Sequence, residues 1–133
     1  MSKFLLDTHI LLWSLLEPER LNHEVQKILE DADNEKWLSP ITTWEVIVLS
    51  NKGRIKLDDA PVPWMENVLK MLPFKQAPLN HEVAMQSTIV NLPHRDPADR
   101  FIVASAIVYG LTLLTADRNI LISAGSSFKV LKN

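Results

Sequence analysis

Four carboxylates fall where secondary-structure elements should begin or end: Asp7, Glu45, Asp99 and Asp117. Asp7 closes the apolar run Lys3-Phe4-Leu5-Leu6, and Glu45 lies in the opening turns of the helix after the second strand. Asp99 sits in the first turn of a long helix, and Asp117 closely follows the strand that this helix feeds. In a parallel α/β arrangement, strand C-termini and helix N-termini share one edge, where ligands bind, so all four should project toward one rim. Carboxylates converging without an obvious lysine or histidine partner repel one another and hold their protons more tightly, unless a cation neutralises them. Oxygen-only ligation suits Mg²⁺ or Mn²⁺, which combine a few carboxylates with waters and substrate phosphates. Such ions lower the pKa of a water, orient it in line and stabilise charge on the leaving oxygen of a phosphodiester. The chemistry expected at this rim is therefore metal-dependent cleavage of nucleic acid.

Taken singly, each carboxylate has a plainer use. Asp7 and Asp117 both stand where an N-cap is needed, and Asp99, three residues after Asp96, can simply complement a helix N-terminus. Glu45 has Ile41, Thr42, Val48 and Leu49 as helical neighbours, a poor fit to a solvated face, although Lys52 offers an ion-pair partner further along. The conjunction of the four carries the argument. Thr115, two residues before Asp117, can orient a water or a carboxylate, or serve as an ordinary strand threonine.

The elements that would position these groups alternate in type. The strand ending at Leu6 precedes a helix over Ile10 to Leu16, an amphipathic helix over Asn22 to Asp33, and a strand over Lys36 to Ser39. Ser39-Pro40 and Gly53 bracket a helix from Ile41 to Lys52. Helices over Trp64 to Leu72 and Asn80 to Leu92 read as a helical insertion. Asp96-Pro97 opens a helix to Tyr109-Gly110, followed by Leu111 to Thr115, apolar on both faces and so expected at the sheet's centre. Asp117 can cap a short helix to Ala124-Gly125, and Phe128 to Leu131 gives a last strand. The fold class is α/β: one domain over residues 1–133, with a parallel sheet of about four to five short strands covered by helices on both faces.

A chain of 133 residues is about the size of one domain, and 47% hydrophobic against 23% charged residues excludes a disordered chain. The absence of cysteine excludes disulfides, thiolate nucleophiles and cysteine-ligated metals. A net charge of −2 means that any polyanion must be met by a local patch. Arg95, Arg100 and Arg118 flank the acidic positions, and Lys52, Arg54 and Lys56 form a second basic run, so phosphate contacts are available; ordinary surface charge explains each equally well. His9 and His94 fall near the rim without metal-ligand spacing, and His23 and His81 read as surface residues of helices. No nucleophile elbow and no phosphate-binding or dinucleotide glycine loop occurs among only three glycines. The apolar start lacks the length of a signal-peptide core, and Phe101 to Leu114 falls short of a membrane span, so a cytoplasmic protein without membrane contact is expected.

Four segments resemble the signature blocks of PIN-domain proteins, in order and across nearly the whole chain: Leu5 to Trp13 (LLDTHILLW), Leu38 to Glu45 (LSPITTWE), His94 to Arg100 (HRDPADR) and Leu113 to Asp117 (LLTAD). More narrowly, they are similar to VapC-type toxins of toxin-antitoxin pairs. That resemblance implies an endoribonuclease dependent on Mg²⁺ or Mn²⁺, with Asp7, Glu45, Asp99 and Asp117 as metal ligands and Asp96 and Thr115 as supporting positions. It also implies a homodimer and a VapB-like antitoxin partner. PIN nucleases outside toxin pairs act in RNA processing, which leaves that role open.

Three other classes compete. A receiver-like signalling module also gathers carboxylates around Mg²⁺, but needs adjacent acidic residues after its first strand and a closing lysine; here Asp7 stands alone and Glu45 would be idle. An Asp-x-Asp phosphatase fails because His9 holds the second position. A non-catalytic binding module would use Trp13, Trp37, Trp44 and Trp64 as contact surface, whereas core packing accounts better for most tryptophans.

Overall fold

The computed structural model describes residues 2–93, 96–124 and 128–133. Its elements run β1 (Lys3–Leu6), α1 (Thr8–Leu16), α2 (His23–Glu30), β2 (Glu35–Leu38), α3 (Pro40–Asn51), α4 (Pro61–Met71), β3 (Lys75–Gln76), α5 (His81–Ile89), α6 (Pro97–Tyr109), β4 (Thr112–Thr115), α7 (Arg118–Ser123) and β5 (Lys129–Lys132). The strands form one sheet in the order β3-β2-β1-β4-β5. Every pairing is parallel, with Leu5 opposite Trp37 on one side and Leu113 on the other.

Strand side chains alternate between two apolar layers, as the period of two demands. Leu5 and Leu113 pack with Ile102, Val103 and Ile120 on the face covered by α5, α6 and α7. Phe4, Leu6, Leu38 and Leu114 pack with Ile10, Leu11, Val25, Val46 and Met65 on the face covered by α1 to α4. A sheet buried on both faces explains why β1 and β4 read as continuous apolar runs. The expectation that the strand before Asp117 lies centrally needs one adjustment: β4 is interior, but β1 occupies the middle.

The supposed helical insertion is also corrected. Between α4 and α5 the chain adds β3 to the sheet, with Trp37 opposite Lys75 and Ala77 N donating to Leu38 O at 2.8 Å. Two polar residues carry no apolar alternation, so nothing local signals this strand; β2 imposes it. Helix α4 starts at Pro61, earlier than the proline-rich stretch suggests, because proline is tolerated in a helix's first turn, where amide hydrogens lack acceptors. Gly110 ends α6 in the left-handed region at φ 64°, letting Leu111 N return to Ala106 O at 2.9 Å and turn the chain into β4. No helix of the described residues is long and apolar enough to cross a membrane.

Leu113 is fully buried, whereas Ile122 is 72% exposed. Leu113→Ala is expected to lower unfolding free energy by ~2–5 kcal/mol and Ile122→Ala by no more than ~0.5 kcal/mol, measured by urea unfolding. Equal losses would contradict a sheet enclosed on both faces.

Candidate active site

The chain departs from β1 toward β2 and β3, then returns through α5 and α6 to β4 on β1's other side. The C-terminal ends of β1 and β4 therefore flank the point where strand order reverses, the place where such sheets form a ligand crevice. A pocket of about 300 Å³ opens there, lined by Asp7, Thr8, His9, Trp13, Glu45, Asp96, Asp99, Ala116 and Asp117. The four expected carboxylates share this one pocket, with Asp96 beside them.

Asp7 is 7% exposed and held at every polar edge. Its amide donates to Leu114 O at 3.0 Å, its Oδ1 accepts from Thr8 N at 2.8 Å, and its Oδ2 accepts from Thr115 Oγ1 at 2.6 Å. Thr115 Oγ1 in turn accepts from Asp117 N at 3.0 Å, so one hydroxyl ties the two aspartates' positions together. Asp117 caps α7 by accepting from Asn119 N and Ile120 N, and Asp96 caps α6 by accepting from Ala98 N at 3.0 Å. Capping and facing the pocket are thus not alternatives: Asp7 and Asp117 do both.

Glu45 is half-buried, and its Oε1 accepts from Thr8 Oγ1 at 2.5 Å. The Thr8 hydroxyl has a single proton, committed to that carboxylate, so Thr42 Oγ1, 3.2 Å away, acts as donor to Thr8. The ion pair with Lys52 does not form; ion pairs among the described residues join Arg20 to Glu17 and Lys75 to Glu35. Thr8 and Thr42 were not singled out from the sequence. The signal available was weak: two hydroxyls, one beside Asp7 and one a helical turn before Glu45.

Burial and crowding act on these acids together. Burial holds Asp7 above the usual carboxylate range, against the pull of its bonds from Thr115 and Thr8. Burial also raises Glu45, with Asp7 and Asp96 adding repulsion. Asp99, 8% exposed, is pushed from 3.8 up to about 8 by burial first, then by the charges of Asp7, Asp96, Asp117 and Glu45. Among the described residues no three acidic or histidine side chains are already gathered into a cation cage. The donor set still fits a hard ion of the Mg²⁺ or Mn²⁺ kind, which takes carboxylate oxygens and keeps much of its water.

The basic residues are placed unequally. Arg100 is partly buried, and its guanidinium donates to Val90 O at 2.8 Å and Ser87 O at 3.3 Å, closing the end of α5 rather than facing the pocket. Lys52 and Arg54 follow the far end of α3, ~10 Å along the helix axis from Glu45. Arg118 is exposed at the start of α7 beside Asp117. Arg95 and His94 lie outside the described residues. His9 lines the pocket, as its position beside Asp7 suggested.

The family model of the PIN domain matches residues 4–124. The chain is 33% identical over 123 residues to Ribonuclease VapC22 of Mycobacterium tuberculosis (strain ATCC 25618 / H37Rv), covering 90% of this chain and 91% of that protein. Among solved structures, it superposes on a chain of VapBC2 from Rickettsia felis bound to a promoter DNA fragment, with a TM-score of 0.74, 14% identity and 98% of each chain covered. DNA-bound VapBC from Salmonella typhimurium gives a TM-score of 0.72 at 18% identity over 99% of this chain and 98% of the other. At such low identities these structures speak for the fold; the family model and the relative speak for kinship. The chain belongs to the PIN-domain family and, within it, to the VapC type.

Proposed function

We propose that this protein is a metal-dependent endoribonuclease and the toxin of a VapBC-type pair. The observation that carries the reading is the single pocket formed by Asp7, Glu45, Asp99 and Asp117, with Asp99 pushed up to about 8 by burial and by its acidic neighbours. A relative whose name is Ribonuclease VapC22 and structural neighbours solved as VapBC complexes support the assignment to RNA and to an antitoxin partner. The same kinship supports a homodimer with a VapB-like antitoxin.

Asp7, Glu45, Asp99 and Asp117 would hold the Mg²⁺ or Mn²⁺. Such an ion, when bound, supplies an acidified water and neutralises charge on the phosphodiester's leaving oxygen. The chain's own part is positional and electrostatic. Thr115 fixes Asp7 Oδ2 and the Asp117 backbone, Thr8 fixes Glu45, and the caps hold Asp96 and Asp117 at helix starts. Asp99, raised to about 8 by burial and by its acidic neighbours, would hold a proton near neutral pH when no cation is bound.

Asp7→Asn, Glu45→Gln, Asp99→Asn and Asp117→Asn are each expected to lower cleavage of a mixed RNA substrate by roughly a hundredfold or more, with EDTA abolishing it in the parent. Full activity in any one variant removes that residue from the site. Thr115→Val, which preserves shape but loses the hydroxyl, should cost roughly tenfold to a hundredfold in cleavage or metal affinity. An unchanged rate would show that Asp7 needs no such anchor.

Stability should depend on pH in a defined direction. Between about 4 and 8 the native state keeps the Asp99 proton that the unfolded chain has released, so native protein binds more protons and stability falls as pH rises through that window. In EDTA, Tm is expected to decline from pH 5 to pH 8, less steeply in Asp99→Asn, and Mn²⁺ at pH 8 should restore it. A Tm that rises over this range in EDTA would contradict the strained acidic cluster.

A further inference from the structure

The pocket has a second wall that the carboxylate chemistry does not use. His9 and Trp13, one turn apart on α1, both line it, with ring centroids 5.8 Å apart and planes tilted by 51°. The Arg20 guanidinium carbon lies 4.4 Å from the centroid of the Trp13 ring, in cation–π range. The Arg20 side chain remains 54% exposed, and its Glu17 partner, at 3.3 Å, is an exposed surface pairing that water screens. Trp13 is half-buried, anchored along the apolar layer under α1 yet reaching the pocket.

This wall is fastened to the acidic side. Asn133 N donates to Thr115 O at 2.9 Å, its Nδ2 donates to Arg20 O at 3.2 Å, and its Oδ1 accepts from Asn22 N at 2.8 Å. The turn presenting Arg20 is therefore linked, through Asn133, to the backbone of the residue whose hydroxyl holds Asp7. A nucleotide entering the pocket finds carboxylates along one side, suited to a cation, and needs its base and flanking phosphate held elsewhere. An indole with a guanidinium on one face supplies both contacts: an aromatic surface for a base and a cation for its phosphate.

We propose that Trp13 and Arg20, with His9 beside them, form the nucleotide-binding wall of the pocket and take an unpaired RNA nucleotide adjacent to the scissile phosphate. The inference rests on the ribonuclease reading and adds the residues that hold the base and its phosphate, since a base must leave its helix to lie against an aromatic side chain. Trp13 contacts the base, and Arg20 contacts the phosphate.

The test measures two quantities on the full-length chain: KM and kcat for cleavage of single-stranded RNA in Mg²⁺, and Kd for a fluorescein-labelled single-stranded RNA by anisotropy in Ca²⁺. Trp13→Leu is expected to raise Kd and KM roughly tenfold or more, with kcat changed less, and Trp13→Tyr to restore most of the loss. Arg20→Gln, at an exposed position, should weaken binding several-fold and reduce the slope of log affinity against log salt by about 0.7. A fully paired duplex of the same sequence should bind weakly and respond to none of these substitutions. Unchanged Kd and KM in Trp13→Leu and Arg20→Gln overturn the proposal, as does a Trp13→Leu loss that Trp13→Tyr fails to restore. If the unsubstituted chain cleaves RNA while the wall variants match it, this inference fails and the ribonuclease reading stands. If it cleaves no RNA, that reading fails, and the anisotropy results alone decide the wall.

Discussion

Burying the Asp7 carboxylate at the end of the middle strand is the constraint on which the rest of the site depends. A carboxylate taken out of water is costly to hold unless hydrogen-bond donors meet its oxygens. Thr8 N and the Thr115 hydroxyl supply those donors, and they can do so only because β1 and β4 are hydrogen-bonded neighbours with Leu6 opposite Leu114. That register is secured in turn by the two apolar layers, since slipping β4 by one residue would send Leu113 and Leu114 to the wrong faces. The core thus fixes the spacing of Asp7, Thr115 and Asp117 to hydrogen-bond tolerance.

The partners found for Asp7 do not cancel its burial, and the same holds more strongly for Asp99, which sits in the first turn of α6 among other acids. The helix N-termini of α6 and α7 point toward the pocket and their amides are capped by Asp96 and Asp117, so positive dipole ends are already matched. Charge left over in the cluster is what makes a divalent cation the natural complement. The pocket's aromatic side, His9 and Trp13 with Arg20 against the indole, suits an anionic, aromatic ligand rather than an ion.

Much of this was legible in the residues because the signals were local and redundant. Ser39-Pro40 and Asp96-Pro97 announced helix starts, the apolar doublets of β1 and β4 announced a sheet buried on both faces, and the carboxylates stood at element ends. What escaped notice depended on tertiary contact. Lys75–Gln76 is a strand only because β2 offers it free backbone groups. Thr8 and Thr42 matter only because α1 and α3 pack side by side. Arg100 looked like a phosphate ligand from its neighbours in sequence, but α5 presents two carbonyls to it in space. Arg20, distant in sequence from the four site carboxylates, lies against the pocket-lining Trp13 from a turn that Asn133 pins.

Buried, mutually repelling carboxylates should give up protons when a divalent cation binds among them. Calorimetric titration of Mn²⁺ into the protein near pH 7, in two buffers of different ionisation enthalpy, tests it most directly because it counts the protons released on binding. Binding heats are expected to differ between buffers by the amount for about one proton, with that difference lost in Asp99→Asn. Identical heats in both buffers, or no binding of Mn²⁺, would contradict it.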